Sequence, residues 1–342
     1  MRGVRASCRI SRQNRRMRVA IEGRRADNRA SMAPHEVEVS WQSLRQIVRD
    51  WAGTAAELEE VAPLAGGCIN TTLCLRMRDG QKAVLKITPH RVDLTYGDEA
   101  HQLQVLADMG VPVPRVFACK AGDLDSPFSY LLMEFVDGVN LSAARTACPA
   151  EEFDRIQGHL AELVLLMHDR RSPHYMRLTA SEPKRYEQWP ACYHDIFESI
   201  WTEVDKSGVL PVKARKRVAK VYDRIDRLLA HDDCPRLVHW DLWATNILAR
   251  PDAEGHWGVA ALLDPHCKYA HAETEIAYLE LFHTVTPAFL RAYQRQHKLP
   301  PEYHRIRKPV YQLFSLINHL HLFGTDYLKS VLAAIEKVGE LV

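Results

Sequence analysis

Three polar side chains in the second half of the sequence have the types and the spacing that phosphoryl transfer needs. Asp241 and Asn246 lie in Leu237-Val-His-Trp-Asp-Leu-Trp-Ala-Thr-Asn-Ile-Leu248, and Asp264 follows in Leu262-Leu-Asp-Pro265. Kinase-type transfer requires one carboxylate that faces the nucleophile, together with an Asn and a second carboxylate that hold Mg²⁺. An apolar run ending in Asp-Pro is a weak signal alone. Combined with His-x-Asp-x-x-x-x-Asn upstream, it strongly favours this chemistry.

The three residues divide into a catalytic group and a metal site. We interpret Asp241 as the catalytic residue, because a carboxylate can accept a hydroxyl proton or orient the hydroxyl in line with a γ-phosphate. Asn246 and Asp264 are the predicted metal ligands, since Mg²⁺ prefers oxygen ligands such as carboxylates and carbonyls. His239 is interpreted as a structural hydrogen-bonding residue. The predicted cofactors are therefore ATP and Mg²⁺.

A lysine inside an apolar strand is a further candidate for nucleotide binding. Lys86 lies in Ala83-Val-Leu-Lys-Ile87 and could be a solvent-facing charge on an edge strand. Alternatively, it could bind the donor's phosphates and pair with a glutamate on the following helix. Glu99 lies in the first half of that helix. The order of these two elements favours the second interpretation.

A glycine-containing turn is the candidate phosphate-binding loop. Glycines bring backbone amides close to phosphate oxygens because no Cβ intervenes. A glycine pair also occurs in many ordinary hairpins, and this one matches no complete phosphate-loop motif. The residues assigned to the loop are Gly66, Gly67, Cys68 and Asn70.

The segment Met133-Glu134-Phe135-Val136 ends the last strand before a linker. Backbone groups of Glu134 and Val136 are predicted to contact an adenine edge there. A plain domain linker would fit the same position.

The first part of the chain has the periodicity of a small α+β lobe. Apolar residues between Trp41 and Trp51 mark an amphipathic helix with Ser40 as its N-cap. Asp79-Gly80 predicts a hairpin turn between two strands. The predicted elements after the first helix are strands at 57–64, 70–78 and 81–87, a helix at 93–109, and strands at 115–119 and 129–135.

The second part is predicted to be mainly helical. Asp137-Gly138 is interpreted as a hinge, and strands at 246–249 and 257–263 are the only β signal beyond it. The predicted helices are 150–169, 185–206, 212–231, 273–284, 286–297, 303–323 and 325–340. An α+β chain with a β-rich N-lobe at 32–136 and a larger helical C-lobe at 137–342 has the bilobal, protein-kinase-like organisation.

The formal charge of +2 is unevenly distributed along the chain. Residues 1–31 contain ten Arg against Glu22 and Asp27, a net of +8, which leaves −6 for residues 32–342. The head could be a transit peptide, a basic arm or an upstream extension of a chain that begins at Met32 or Met17. We expect residues 1–31 to be a disordered extension, and an acidic body argues against nucleic-acid binding.

The eight cysteines show no Cys-x-x-Cys pair and no zinc-ligand spacing, which favours a reducing cytoplasm. No apolar run approaches the roughly 18 residues of a membrane span, so no membrane partner is expected. Cys68, in the glycine turn, could be oxidised or could join two copies of the chain. The expected state is a monomer, with a redox-linked homodimer as the alternative.

The sequence resembles the fructosamine kinase (ketosamine-3-kinase) family of the aminoglycoside-phosphotransferase-like branch of the kinase fold. Asp-Leu-Trp-x-x-Asn at 241–246 and Asp-Pro at 264–265 are similar to that family. So is Tyr311-Gln-Leu-Phe-x-x-x-Asn318-His-x-x-Leu322-Phe-Gly324. The resemblance extends from about Trp41 to the end of the chain. It implies ATP-dependent phosphorylation of a sugar hydroxyl on small or protein-bound ketosamines, which destabilises the adduct and releases the amine.

The resemblance also suggests where the acceptor binds. Trp243 could stack on a sugar ring or wedge the catalytic loop, and His319 could approach the sugar or be a packed histidine. Glu273 and Glu275 resemble positions that support the catalytic loop. The chain departs from the family pattern on the acceptor side, where we expect glycine at the positions of Trp240 and His283 and a small residue in place of His266.

Two other functions remain compatible with the sequence. The first is a related kinase that acts on an aminoglycoside, choline or another sugar. The second is a regulatory protein that binds a nucleotide without transferring phosphate. The complete set of Lys86, Asp241, Asn246 and Asp264 argues against the second.

Overall fold

The chain folds into two compact units, as seen in a computed structural model. The first unit comprises Met1–Ala107 and Val113–Asp137, and the second comprises Asp108–Pro112 and Gly138–Val342. The structure describes residues 7–10, 16–20, 37–64, 71–89, 96–122 and 128–341. The strand-rich first unit and the mainly helical second unit confirm the predicted α+β class.

Strands predominate in the first unit. Its elements, in chain order, are β1 (Ser7–Ile10), β2 (Arg16–Ala20), β3 (Val37–Ser40), α1 (Trp41–Ala52), β4 (Leu58–Pro63), β5 (Thr71–Met77), β6 (Lys82–Pro89), α2 (Gly97–Asp108), β7 (Val116–Lys120) and β8 (Phe128–Glu134). Five of the strands form one antiparallel sheet in the order β4-β5-β6-β8-β7.

The two faces of this sheet bury different side chains. Leu85 of β6 faces a core that also contains Leu44 of α1 and Leu73 of β5, and all three are fully buried. Because successive strand residues point to opposite faces, Val84 joins a second core together with Leu103 of α2. Each buried leucine contributes roughly 1.5–3 kcal/mol relative to an exposed one. The same alternation directs Lys86 towards the α2 face.

Local sequence signals place the helix α1 and the hairpin β5–β6. The Ser40 hydroxyl accepts a hydrogen bond from the Ser43 N–H at 2.9 Å, which confirms the predicted N-cap. Gly80 has φ +88°, a conformation that glycine adopts without a Cβ clash. Beside it, the Asp79 carboxylate accepts from the Gln81 N–H at 3.0 Å. The predicted hairpin is therefore confirmed, with Thr71 paired to Ile87 at its open end.

The basic head differs from the expected disordered extension where the structure describes it. Residues 7–10 and 16–20 form β1 and β2, and β2 pairs with β3 in an antiparallel sheet. The high positive charge therefore does not prevent pairing with Val37–Ser40, which sequence composition could not reveal.

Helices form most of the second unit. Their bounds are α3 (Leu141–Ala147), α4 (Ala150–Asp169), α5 (Trp189–Ser207), α6 (Val212–Tyr222), α7 (Ile225–Leu228), α8 (Glu273–Leu281), α9 (Pro287–Tyr293), α10 (Lys308–Phe323) and α11 (Leu328–Val338). Within the described residues, no helix is both long enough and apolar enough to span a membrane.

Six strands occur among these helices, of which only two were predicted. They are β9 (Val139–Asn140), β10 (Met176–Arg177), β11 (Arg236–Val238), β12 (Ile247–Pro251), β13 (Trp257–Leu262) and β14 (Lys268–Ala270). They form the sheets β13-β12-β9 and β10-β14-β11. The four missed strands contain two or three residues each. Because their pairing joins distant segments, a local pattern cannot detect them.

A buried ion pair fixes the start of α8 against the segment that precedes α10. The Arg307 guanidinium donates from Nε and Nη2 to the two carboxylate oxygens of Glu273 at 2.6 and 2.7 Å. Each side chain is only 10% exposed. Burial raises the pKa of Glu273 although Arg307 opposes this effect, so an unpaired carboxylate there would be costly.

We expect Arg307→Met to lower the free energy of unfolding by about 3 kcal/mol, because it leaves the buried Glu273 carboxylate uncompensated. The matched control is Arg215→Met, since Arg215 pairs with Asp205 at 3.3 Å on the surface of the same unit. Its cost should stay below about 1 kcal/mol. Urea denaturation of both variants measures the difference, and equal costs would contradict the assigned role of the buried pair.

Candidate active site

The hairpin β12–β13 brings two of the predicted site residues side by side. Asn246 immediately precedes β12, and Asp264 follows Leu263 at the end of β13. Ile247 pairs with Leu262, and the Leu263 N–H donates to the Asn246 carbonyl at 2.8 Å. Sheet pairing therefore brings the backbone positions of Asn246 and Asp264 close together.

Asp241 is held by hydrogen bonds to both of its carboxylate oxygens. The Tyr278 hydroxyl donates to Oδ1 at 2.6 Å, and the Asn246 side-chain amide donates to Oδ2 at 3.1 Å and to the Asp241 carbonyl at 2.9 Å. The pKa of Asp241 is raised to about 6, mainly by desolvation and also by the negative charge of Asp264, although the two hydrogen-bond donors and Lys268 oppose the rise.

The orientation of Asn246 suits a metal ligand. Its amide nitrogen is committed to Asp241, which directs the amide oxygen away from that carboxylate. An amide oxygen and the Asp264 carboxylate are hard ligands that Mg²⁺ accepts. A magnesium ion bound to a nucleotide takes its remaining ligands from phosphates and water, so two protein ligands are sufficient. The residues present therefore fit Mg²⁺.

Two residues of the site segments adopt left-handed backbone conformations. Trp240, immediately before Asp241, has φ +75°, and Asp264 has φ +54°. A non-glycine residue in this region costs roughly 1–2 kcal/mol. The Glu275 carboxylate offsets part of this cost, since its Oε1 accepts from the Trp240 N–H at 2.9 Å. Its Oε2 contacts Nε2 of buried His168 at 3.1 Å, so α4 and α8 together support the loop.

The Trp240 side chain covers a buried lysine. The Lys268 ammonium lies 4.1 Å from the centre of the indole ring and donates to the His266 carbonyl at 2.9 Å. Burial lowers the pKa of Lys268 to about 7. The His266 N–H in turn donates to the His239 carbonyl at 3.0 Å. These contacts join the segment that carries Asp241 to the segment that carries Asp264.

Lys86 and Glu99 form the predicted ion pair in the first unit. The ammonium donates to Glu99 Oε1 at 2.6 Å, and the side chains are only 8% and 17% exposed. Alternation along β6 and the position of Glu99 in the first turn of α2 account for the contact. The solvent-facing alternative for Lys86 is therefore wrong.

The remaining predicted nucleotide contacts are less direct. The Glu134 N–H donates to the Arg115 carbonyl at 2.9 Å, so β-sheet pairing uses the amide that we had expected to contact adenine. Its carboxylate accepts from the Arg115 N–H at 3.2 Å. Val136 follows the end of β8 and is half-buried. The residues of the predicted phosphate-binding loop lie outside the described residues: Gly66, Gly67, Cys68 and Asn70. Cys68 is also the residue with the predicted redox role.

The two predicted sugar contacts lie on separate segments, Trp243 just after Asp241 and His319 on α10. Trp243 is half-buried, and its carbonyl accepts from the Asn246 N–H at 2.9 Å. His319 is 4.7 Å from Phe282 between ring centres and 6.2 Å from Tyr278, the residue that donates to Asp241. His319 therefore lies in an aromatic cluster beside the carboxylate.

Sequence reasoning missed Tyr278 and Lys268. Tyr278 follows Ile276 and Ala277 in a helix with many apolar residues, where a tyrosine indicates core packing. Lys268 lies in a three-residue strand that was not predicted. No local signal distinguishes either residue, because both act on Asp241 through contacts between distant segments.

Known proteins resemble this chain over most of its length. A family model described as fructosamine kinase matches residues 40–340. The chain belongs to the fructosamine kinase family. Its relatives include the protein named "Probable ketoamine kinase YniA" of Escherichia coli (strain K12), which is 26% identical over 297 residues, 84% of this chain and 95% of the relative.

Solved structures share the fold of this fructosamine kinase family member. A protein from Haemophilus somnus 129PT, provisionally named fructosamine-3-kinase, superposes with a TM-score of 0.68 at 19% identity and covers 87% of this chain and 97% of its own. A thermostable mutant of the aminoglycoside phosphotransferase APH(4)-Ia, in a ternary complex with ADP and hygromycin B, has a TM-score of 0.61 at 14% identity, with coverages of 87% and 96%. These structures confirm the protein-kinase-like fold. Membership of the fructosamine kinase family confirms an ATP-dependent phosphotransferase.

We expect the Trp240–Lys268 contact to stabilise the second unit through the aromatic ring itself. Trp240→Phe keeps a ring over the ammonium, whereas Trp240→Leu removes it, so Leu should cost about 1 kcal/mol more in the free energy of unfolding. In the Lys268→Met background this difference should disappear. Urea denaturation of the four variants measures the coupling, and a Phe–Leu difference that persists without Lys268 would disprove it.

Proposed function

We propose that this member of the fructosamine kinase family transfers the γ-phosphoryl group of ATP to a sugar hydroxyl of a ketosamine, such as a fructosamine or ribulosamine adduct. The observation that carries the proposal is the Asp241 carboxylate, which accepts hydrogen bonds from the Tyr278 hydroxyl and from the side-chain amide of Asn246, a proposed metal ligand. Phosphorylation would destabilise the adduct and release the amine, so the reaction would repair glycated amines.

Asp241 is proposed to act as the base. The sugar hydroxyl loses its proton to a carboxylate oxygen while its own oxygen bonds to the γ-phosphorus. The bond from that phosphorus to the β,γ-bridging oxygen breaks, and ADP leaves. Tyr278 and Asn246 orient the carboxylate throughout this step. Because both donate to it, they also favour the ionised form that the base requires.

The donor's phosphates and magnesium are assigned to separate residues. Lys86, kept in place by Glu99, would bind phosphate oxygens. Asn246 and Asp264 would hold Mg²⁺, which neutralises charge on the phosphates when it is bound. Backbone amides of the turn with Gly66, Gly67, Cys68 and Asn70 remain proposed phosphate contacts. The Glu134 carbonyl and Val136 remain proposed contacts to adenine.

His319 has a nitrogen that could bind the sugar. Its Nδ1 lies 2.9 Å from the Ser315 carbonyl, an acceptor, so Nδ1 carries the proton. Burial lowers the pKa of His319 and keeps the ring neutral. Nε2 is then an acceptor for a sugar hydroxyl. Trp243 is proposed to provide a stacking surface for the sugar ring.

We also propose a cytoplasmic location and a monomeric state. Six cysteines have described side chains and are free thiols, which supports a reducing compartment: Cys74, Cys119, Cys148, Cys192, Cys234 and Cys267. A dimer linked through Cys68 would appear on non-reducing gels after oxidation of the wild type and would be absent in Cys68→Ser.

Phosphorus NMR of products from a panel of acceptors tests the reaction. Fructosyllysine and ribulosyllysine are expected to give new phosphomonoester signals with ATP and Mg²⁺. The sugar protons that couple to the phosphorus identify the modified hydroxyl. Kanamycin, choline and free fructose are the comparison acceptors. Turnover of one of these while both ketosamines stay inert would replace the proposed substrate. A thermal shift with MgATP but no transfer to any acceptor would instead indicate a regulatory nucleotide-binding protein.

Two substitutions separate the base from the metal site. Asp241→Asn should lower kcat by about 100-fold or more, the range of general-base catalysis, with little change in the KM for MgATP. Asp264→Asn should instead raise the KM for MgATP and the Mg²⁺ concentration for half-maximal rate. Asp226→Asn, on the exposed side of α7, is the control. Wild-type kcat in Asp241→Asn would rule out the base assignment.

A further inference from the structure

A cavity of about 140 Å³ opens beside α5 in the second unit. The N-terminal half of α5 forms one side, and the loop that follows β10 forms the other. Its lining includes Arg177, Thr179, Glu182, Lys184, Cys192 and Asp195. Sites for complete small ligands measure roughly 300–1,000 Å³. This cavity can therefore hold one end of a ligand.

The cavity lies next to the catalytic loop. The rings of Trp189 and Phe197, on either side of the cavity-lining segment of α5, are each 6.5 Å from the Trp240 ring between centres. Trp240 immediately precedes Asp241. From the opposite side, Arg177 is paired with Lys268 across β10 and β14, and the Lys268 ammonium contacts the Trp240 ring. Trp240, the neighbour of Asp241, therefore contacts the helix that forms one side of the cavity.

Some of the charged side chains that line the cavity form ion pairs, and one does not. Lys184 donates to the Asp195 carboxylate at 2.6 Å, and Glu182 pairs with Arg185 at 3.1 Å. The Arg177 side chain is exposed, and within the described part of the chain its guanidinium forms no hydrogen bond or ion pair. The Arg177 guanidinium is thus an unpaired cation among the polar side chains that line the cavity. A carboxylate is its natural complement, because the two groups can form parallel hydrogen bonds.

We propose that this cavity binds the carboxylate of the acceptor's amino-acid part, with Arg177 as the ligand, so that the preferred acceptors are ketosamines of free amino acids. The inference rests on the proposed function, since it assigns the end of the acceptor that is remote from the reacting sugar. A lysine within a polypeptide carries an amide in place of this carboxylate. The same contact would therefore disfavour protein-bound adducts.

The test compares fructosyllysine with its carboxamide, which differs only in the loss of the negative charge. Wild type should show a KM about 10-fold to 100-fold lower for the carboxylate, the range of a charge-assisted hydrogen bond. Arg177→Gln should reduce this ratio to about 1 by raising the KM for fructosyllysine, and Arg177→Lys should restore part of it. Arg185→Gln, an arginine in the same loop outside the cavity, is the matched control and should keep the wild-type ratio.

Each outcome decides the proposal. Equal KM values for the two acceptors in wild type, or an unchanged ratio in Arg177→Gln, would overturn it even if ketosamines are good substrates. If neither acceptor is phosphorylated, the proposed function fails, and calorimetric titration of the two compounds then tests the cavity alone. Binding of fructosyllysine that weakens 10-fold or more in Arg177→Gln supports the carboxylate site, while no binding overturns it.

Discussion

The partly desolvated carboxylate of Asp241 is the group on which the arrangement of the second unit depends. Removing a carboxylate from water favours its neutral form, and here the pKa rises to about 6. A nearby second carboxylate, Asp264, adds to this cost. The hydrogen bonds from Tyr278 and Asn246 oppose it, and they also determine which way the carboxylate faces. The carboxylate that the proposed reaction needs is therefore costly to bury, and the surrounding hydrogen bonds offset part of that cost.

Much of the surrounding structure holds the loop that carries this carboxylate. Glu275 joins the Trp240 N–H to His168, and the His168 ring also contacts the Tyr293 hydroxyl at 2.9 Å. The Arg307–Glu273 pair anchors the beginning of α8, the helix that also carries Tyr278. Buried polar groups of this kind stabilise a fold only when each has a partner. The network consequently ties the position of the base to the folding of α4, α8, α9 and α10.

The structure shows why glycine was expected at the positions of Trp240 and His283. Trp240 has φ +75° and His283 has φ +52°, both in the region that glycine enters without strain. This chain keeps the backbone shape with larger residues and adds contacts to them. Lys268 and Glu275 hold Trp240, and Arg145 donates to the His283 carbonyl at 3.0 Å. The Trp240 ring also contacts Trp189 and Phe197, so α5 packs against the residue that precedes Asp241.

Local sequence determined most of the helices and the two predicted hairpins, because hydrophobic period, caps and turn residues act over a few residues. It missed the short helix α3, and the predicted helix 212–231 is divided into α6 and α7. Ala150–Asp169 coincides with its predicted span, and the hairpin at Asp79-Gly80 is where its turn residues predict it. The types and order of Lys86, Glu99, Asp241, Asn246 and Asp264 likewise indicated a kinase. Only tertiary structure decided that Tyr278 contacts Asp241, that Lys268 lies under Trp240, and that residues 7–10 and 16–20 form strands. Each of these depends on a contact between segments far apart in the chain, whose free energy exists only once both segments are in place, so no short window of sequence could contain it.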